Sequence, residues 1–454
     1  MTDLPPKPAA RPDKVSLWRY LRLFRRDILS AQPAKLYGAW MAEFRTPFFR
    51  SYLINDPKLI ETVLKTDPDD FPKSDRISAG LQPLLGESVF LTNGAVWKRQ
   101  RRIIDPAFEG GRLRDTFPGI FAAGQAGAAR LIADDTPQEI EAIASHIAAD
   151  VIFRTLFSLP IEDETAQKVF LEFRSYQRSQ PILNLAAFIP GPRWMPRFFR
   201  PATRLAAKNI RALITQLTTA RLDMIAKGTA PNDLATKIMT TQDPETGELF
   251  SVSEMVDQVA IFFLAGHETS ASALAWSLYL LAGAPDWQDK VAAEAAQFDG
   301  NFANLSQLKV TRDVFREALR LYPPVPMMVR EAQAPTLFRK RAIKRGAQIV
   351  LSPWHLHRHN RLWDNPDGFD PNRWQSENGK TCARTAFMPF SAGPRVCPGA
   401  GFAMIEGVTL LATLLKNHEF HLSQDRIPIP VAHLTVRAED GIWLRIMPRR
   451  SADI

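Results

Sequence analysis

The chain has 454 residues, 45% of them hydrophobic, a formal net charge of +9 and two cysteines. That length supports a large core, and no Ser/Gly-rich linker, composition break or internal repeat divides residues 1–454. Two cysteines exclude a secreted disulfide framework and point to a reducing, cytoplasmic compartment. Lysines and arginines are scattered and no nucleic-acid motif accompanies them, so the positive balance argues for an acidic protein partner instead.

Residues 1–13 carry Pro5, Pro6, Pro8 and Pro12 and read as a disordered leader. Leu17, Leu21, Phe24 and Ile28 then recur at helical spacing, with Arg19, Arg22, Arg25 and Arg26 between them. The apolar run is too short for a signal peptide or a membrane anchor. Such a basic amphipathic helix suits at most a peripheral membrane contact, and its apolar stripe can equally pack on the body of the protein. A strand over Phe48–Asn55 and a helix from Asp56 through Leu64 follow. Phe71–Thr92 reads as an irregular apolar loop, of the length of a binding loop or lid. Trp97 and Arg101 lie four apart and share one face of a helix. From Gln125 to Met239 the pattern is helical, broken near Pro181–Pro201 by a stretch that reads as a mobile apolar loop at a substrate entrance.

Ser251 and Glu254 have capping-box spacing and open the longest helix candidate, which runs to about Ala282. Asp257, His267 and Glu268 make a membrane span costly, so this is a buried central helix. Ala265 and Gly266 leave room for a flat ligand. Thr269 can bond back to a carbonyl of the preceding turn, and Glu268 beside it can exchange protons with solvent. His267 reads as structural. On a further helix, Arg312–Tyr322, Glu317 and Arg320 are spaced to pair. An apolar run, Val325–Val329, leads to Arg330 and should line a pocket. His355, His357 and His359 alternate along a strand or loop without a metal-site pattern, and Cys382 sits in a polar stretch.

The most informative stretch is Phe390–Glu406. Gly393 and Pro394 force a tight turn before Cys397, Phe390 is placed to cover it, and Pro398, Gly399 and Gly401 open a helix read from Phe402. A cysteine just ahead of a helix faces free amide N–H groups and the positive end of the dipole, which favour its thiolate. Arg395 adds a positive charge suited to a carboxylate. One sulfur cannot hold a bare ion, so the loop reads as the site of a metal already held in a macrocycle.

Phe390–Gly399 matches without a gap the pattern Phe-x-x-Gly-x-Arg-x-Cys-x-Gly of the cytochrome P450 family, which this chain resembles from about Phe48 to Ile446. Trp97-x-x-x-Arg101 with Asp105–Phe108, Ala265-Gly-His-Glu-Thr269, and Glu317-x-x-Arg320 with Arg373 carry the same resemblance; Asn372 and Trp374 depart from it. The resemblance implies a mainly α fold with small β-sheets, forming one domain with heme b (iron protoporphyrin IX) between the central helix and the cysteine loop. Cys397 would ligate iron, with Phe390, Gly399 and Ala265 against the heme. Arg395, Trp97, Arg101 and Arg330 would hold its propionates, and Glu268 and Thr269 would handle protons. The triad Glu317, Arg320 and Arg373 would be structural. The reaction implied is insertion of one atom of dioxygen (O2) into a small apolar organic substrate, and the motif style is closest to the bacterial, fatty-acid-hydroxylase-like branch. Electrons would come from a separate ferredoxin or flavodoxin, with Arg99, Arg102 and Lys416 as candidate docking cations. A peroxide-driven or isomerising heme-thiolate enzyme is the alternative, but such enzymes can dispense with the acid–alcohol pair. A heme sensor is the non-enzymatic one, and no signalling or DNA-binding module accompanies it.

Overall fold

Ser251 begins the helix on which the body is assembled. Its hydroxyl accepts the Glu254 N–H while the Glu254 carboxylate accepts the Ser251 N–H, so two otherwise unpaired amides are satisfied at the start of Val252–Ala282. That helix is apolar around most of its circumference, which requires neighbours on every side. They are Ile140–Phe157, Pro201–Ala226, Lys309–Leu321 and Ala400–Leu415. The computed structural model describes residues 4–45, 50–179, 201–423, 425–432 and 434–449. Among them one contiguous apolar core runs from Leu29 to Ile446 around the central helix.

A second cluster, including Tyr52, Ile54, Ile349, Leu351, Trp363 and Trp374, lies under a four-stranded sheet. Its strand order is Met41–Arg45, Arg50–Ile54, Gln348–Leu351, Met328–Glu331. The central pair is parallel, in register Ser51 with Gln348, and the outer pairs are antiparallel. A parallel pair needs a long crossover, and here most of the helical body supplies it. A short hairpin, Pro430–Ala432 with Val436–Ala438, closes against the central helix: the Ser272 hydroxyl donates to the Val436 carbonyl at 2.5 Å.

Several expectations change. The proline-rich start is not a free leader, because residues 4–13 lie against the body. The Tyr322 hydroxyl donates to the Pro6 carbonyl at 2.8 Å, Lys7 pairs with Asp367 at 2.5 Å, and Arg11 bridges to Pro33. Proline prevents helix but not docking. Within the expected Phe71–Thr92 loop a helix forms over Asp75–Leu85, capped by the Ser74 hydroxyl. Cys382 lies on the helix Glu377–Thr385, buried, with its thiol on the Leu362 carbonyl. His355 belongs to a helical turn, Pro353–Leu356, rather than a strand. The basic helix forms over Leu17–Arg26 with Tyr20 and Phe24 half-buried and Trp18 83% exposed. The strand expected from Phe48 is described only as Arg50–Ile54, and residues 180–200 of the expected entrance loop lie outside the described residues. No helix among the described residues is long and apolar enough to cross a membrane.

Candidate functional site

Between the central helix and the cysteine loop lies a cavity of about 1410 Å³. Its floor is the turn before Cys397. Gly393 has φ +68°, and a Cβ there would fall 1.9 Å from the Leu64 carbonyl oxygen, so only glycine fits. The Cys397 N–H donates to the Phe390 carbonyl at 2.9 Å and closes the loop. The following helix starts at Ala400, earlier than the expected Phe402. A Cβ at Gly399 would make only an ordinary 3.9 Å contact with Cys397 Sγ. Cys397 lines the cavity and is exposed to it. Burial pushes its thiol above the ordinary range, with the Gly399 N–H and Arg101 opposing. In the protein alone, burial therefore outweighs the helix-terminus effect expected to favour the thiolate. A metal ion at the sulfur would reverse that balance.

The roof is the central helix. The Thr269 hydroxyl donates to the Ala265 carbonyl at 2.6 Å, the back-bond its type and position suggested. Ala265 presents its methyl to the cavity. Gly266 also reaches the wall, but its missing side chain is taken up by Ile152, whose Cδ1 lies 2.3 Å from where a Cβ would be. His267 is buried against the Ser145 hydroxyl at 2.7 Å. Glu268 is not open to solvent as expected: it is buried and ion-paired with Arg437.

One flank is cationic. Arg330 and Arg395 line it, the Arg395 guanidinium 4.2 Å from the Trp97 ring centre, and Lys73 joins them through a backbone bridge to Arg330. Among the described residues neither Lys73, Arg330 nor Arg395 has a carboxylate in ion-pair range; the Lys73 ammonium donates to the Val89 carbonyl at 2.8 Å and stands 5.5 Å from the Phe90 ring centre. Arg101 stands 5.8 Å from the Trp97 ring centre, held by Asp105 at 2.6 Å and the Val396 carbonyl at 2.7 Å. Burial, then Arg395, Arg330 and Arg101, hold the Lys73 amine well below its ordinary pKa. Burial and Arg395 lower Arg330 to about 10. Lys73 was not legible from the sequence. Nothing in its Gly/Pro-rich surroundings marks it, and its partners are remote in the chain.

Apolar side chains make up much of the remaining wall, with Phe90, Phe262, Val325, Met327, Val329 and Leu434 among them. A cavity-facing sulfur opposite small helix residues, flanked by cations that lack counter-charges, fits a flat metal macrocycle bearing two carboxylates. His355, His357 and His359 point elsewhere: His357 accepts the Met388 N–H at 2.9 Å, and His355 bonds the Ser352 hydroxyl at 2.8 Å. The three docking cations expected for an electron donor are already engaged. Arg99 pairs with Glu254 at 2.6 Å, Arg102 with both Asp243 oxygens at 2.5 and 2.9 Å, and Lys416 bonds the Phe298 carbonyl at 3.2 Å.

Comparison with known proteins gives the family. The family model described as Cytochrome P450 matches residues 32–444. The cyclooctat-9-en-7-ol 5-monooxygenase of Streptomyces melanosporofaciens is 30% identical over 87% of this chain and 85% of its own length. Human cytochrome P450 4A11 is 30% identical over 86% of this chain and 78% of its own. The crystal structure of the cytochrome P450DA heme domain superposes with a TM-score of 0.79 over 98% of both chains at 23% identity, a likeness of fold. This chain belongs to the cytochrome P450 family, the heme-dependent monooxygenases.

Proposed function

We propose that Cys397 would hold the iron of heme b through its sulfur, and that the protein hydroxylates an apolar chain, fatty-acid-like or terpenoid, with electrons from a separate ferredoxin or flavodoxin. The observation that carries this is the cavity-facing sulfur opposite a flank of Lys73, Arg330 and Arg395 without carboxylates. Buried cations are retained where an anion answers them, and two propionates would supply that charge. Bound there, the heme supplies the activation of dioxygen. The protein's own groups do the rest. Lys73, Arg330 and Arg395, with Trp97 and Arg101 beside them, orient the propionates, while Phe390 and Ala265 bound the two faces. Phe90, Phe262, Val325 and Met327 keep water from the substrate chain. The Thr269 hydroxyl, at the cavity face, passes on protons that the Glu268 carboxylate first accepts and then releases. That both groups of the pair stand at the wall favours this reading over a peroxide-driven enzyme. Arg25 and Tyr20, where the cavity reaches the surface helix, suit the polar head of an amphiphile.

The test is spectroscopic. The reduced carbon-monoxide complex should show the red-shifted band of thiolate ligation, lost in Cys397→Ala and kept in Cys382→Ala. A screen of fatty acids, terpenes, steroids and aromatics for substrate-induced shifts then selects candidates for turnover with dioxygen and reductant. An unshifted band sinks the ligand assignment, and turnover with peroxide alone sinks the dioxygen reading.

A further inference from the structure

We propose that Arg437 is the positioning residue of the proton-handling pair, fixing both the charge and the direction of the Glu268 carboxylate. This rests on the reading of Glu268 and Thr269 given above. Glu268 and Thr269 are adjacent on the central helix, yet their polar ends are committed differently. The Thr269 hydroxyl bonds the Ala265 carbonyl at 2.6 Å, whereas a Glu268 carboxylate oxygen is held by the Arg437 guanidinium. Both residues of that ion pair line the cavity, and the two ends differ in exposure. The Glu268 side chain is 9% exposed and the Arg437 side chain 41%. The arginine thus stands between the wetter rim and a buried acid.

The contact is built into the fold. Arg437 lies on the strand Val436–Ala438, and that strand is pinned at both neighbours. The Val436 N–H donates to the Pro324 carbonyl at 2.9 Å and its carbonyl accepts the Ser272 hydroxyl; the Ala438 N–H donates to the Glu141 carboxylate at 2.9 Å. Ser272 is one helical turn beyond Glu268, so the hairpin is fastened to the central helix directly beside the acid. Other charged groups surround this joint. His267, on the same helix, is kept neutral by burial, its pKa down to about 4, with Arg437 and then Arg174 from the Glu164–Ser179 helix adding to that. Glu141 is pushed up to about 7 by burial, Glu439 of the hairpin is taken by Arg26, and Glu406 bonds Ser270. Among the described residues Arg437 is the one cation ion-paired with Glu268. Removing it leaves a buried carboxyl without its counter-charge, which favours the protonated form. It also frees the side chain to turn.

The experiment uses the heme-loaded full chain, each variant accepted only with an intact red-shifted carbon-monoxide band. Isotope-edited infrared spectra of the resting protein, assigned with Glu268→Gln, report the charge of Glu268 without turnover. Arg437→Gln should replace its carboxylate band by a protonated carboxyl band near neutral pH, and Arg437→Lys should largely restore the carboxylate. In turnover, Arg437→Gln should move the pH profile of coupling, product formed per reductant consumed, upward by about one unit or more. An unchanged band and profile in Arg437→Gln, with coupling lost in Glu268→Gln, overturns the proposal alone. Unchanged coupling in Glu268→Gln overturns the reading of the pair itself and the proposal with it.

Discussion

Lys73 stands where a lysine is costly. Its amine is buried, has one carbonyl partner, and faces Arg330, Arg395 and Arg101 across the cavity flank. Without an anion these groups repel one another in a medium that screens poorly. Two opposite effects should therefore appear in Lys73→Leu. The heme-free chain should melt no lower than wild type, because a disfavoured amine is gone. Heme transfer to an acceptor apoprotein should speed by about tenfold, equivalent to about 1.4 kcal/mol. An unchanged transfer rate would show that Lys73 holds nothing. At this scale the sequence was legible where spacing is local: Trp97 and Arg101 share one helical face, and Arg395, two before Cys397, stands against the same Trp97 ring. Lys73 reaches Arg330 only through a backbone bridge formed by the fold, and Arg437 reaches Glu268 across 169 residues. Neither separation leaves a pattern in the chain.

The joint between the central helix and the cysteine helix turns on one buried acid. Glu406 is fully enclosed, and its carboxylate accepts only the Ser270 hydroxyl, at 2.6 Å; Oε1 has no partner among the described residues. Burial raises it from 4.5 to about 8, with the Ser270 bond opposing, so it is neutral at neutral pH. The folded state then binds a proton that the unfolded chain releases near 4.5, and stability conferred by the neutral acid is lost as pH rises through about 8. Melting temperature of the heme-loaded chain should therefore decline between these values, and Glu406→Gln should flatten the decline. Glu141, raised to about 7, contributes to the same slope and should leave a remainder. An identical slope in Glu406→Gln would refute the assignment. The central helix itself was readable from end to end, because a capping box and an apolar circumference are local signals. Gly266 was not: composition says that a residue is small, and only packing says that Ile152 uses the space.

Across the whole molecule, charge says less than its sum. Arg99 and Arg102, read as candidate docking cations, are taken by Glu254 and Asp243, so at these two positions the net charge of +9 leaves no free cation. What spans the molecule is a chain of buried polar contacts ending at the cysteine. Arg320 donates to both oxygens of Glu317 at 2.9 and 2.8 Å, and Arg373 to one of them at 3.2 Å. Asn372 and Trp374, where the family pattern is broken, leave this triad intact. Asn372 contributes a backbone N–H to Asp370, and Trp374 packs beneath the Arg316 guanidinium at 4.0 Å. Arg320 also donates to the His357 carbonyl at 2.9 Å. Burial holds His357 neutral, its pKa down to about 3, and its Nε2 accepts the Met388 N–H, which leaves Nδ1 to donate to the Arg320 carbonyl. Met388 is two residues before Phe390, whose carbonyl accepts the Cys397 N–H. Glu317→Gln would strand two buried guanidiniums without a counter-charge, at a cost of about 3–5 kcal/mol. The loss should not stop at stability. Because the same bonds set the cysteine loop, part of the carbon-monoxide complex should revert to the unshifted band, and Glu317→Asp should fall between. A urea midpoint within about 1 kcal/mol of wild type, or a band untouched by the loss, would break this chain of argument at the triad.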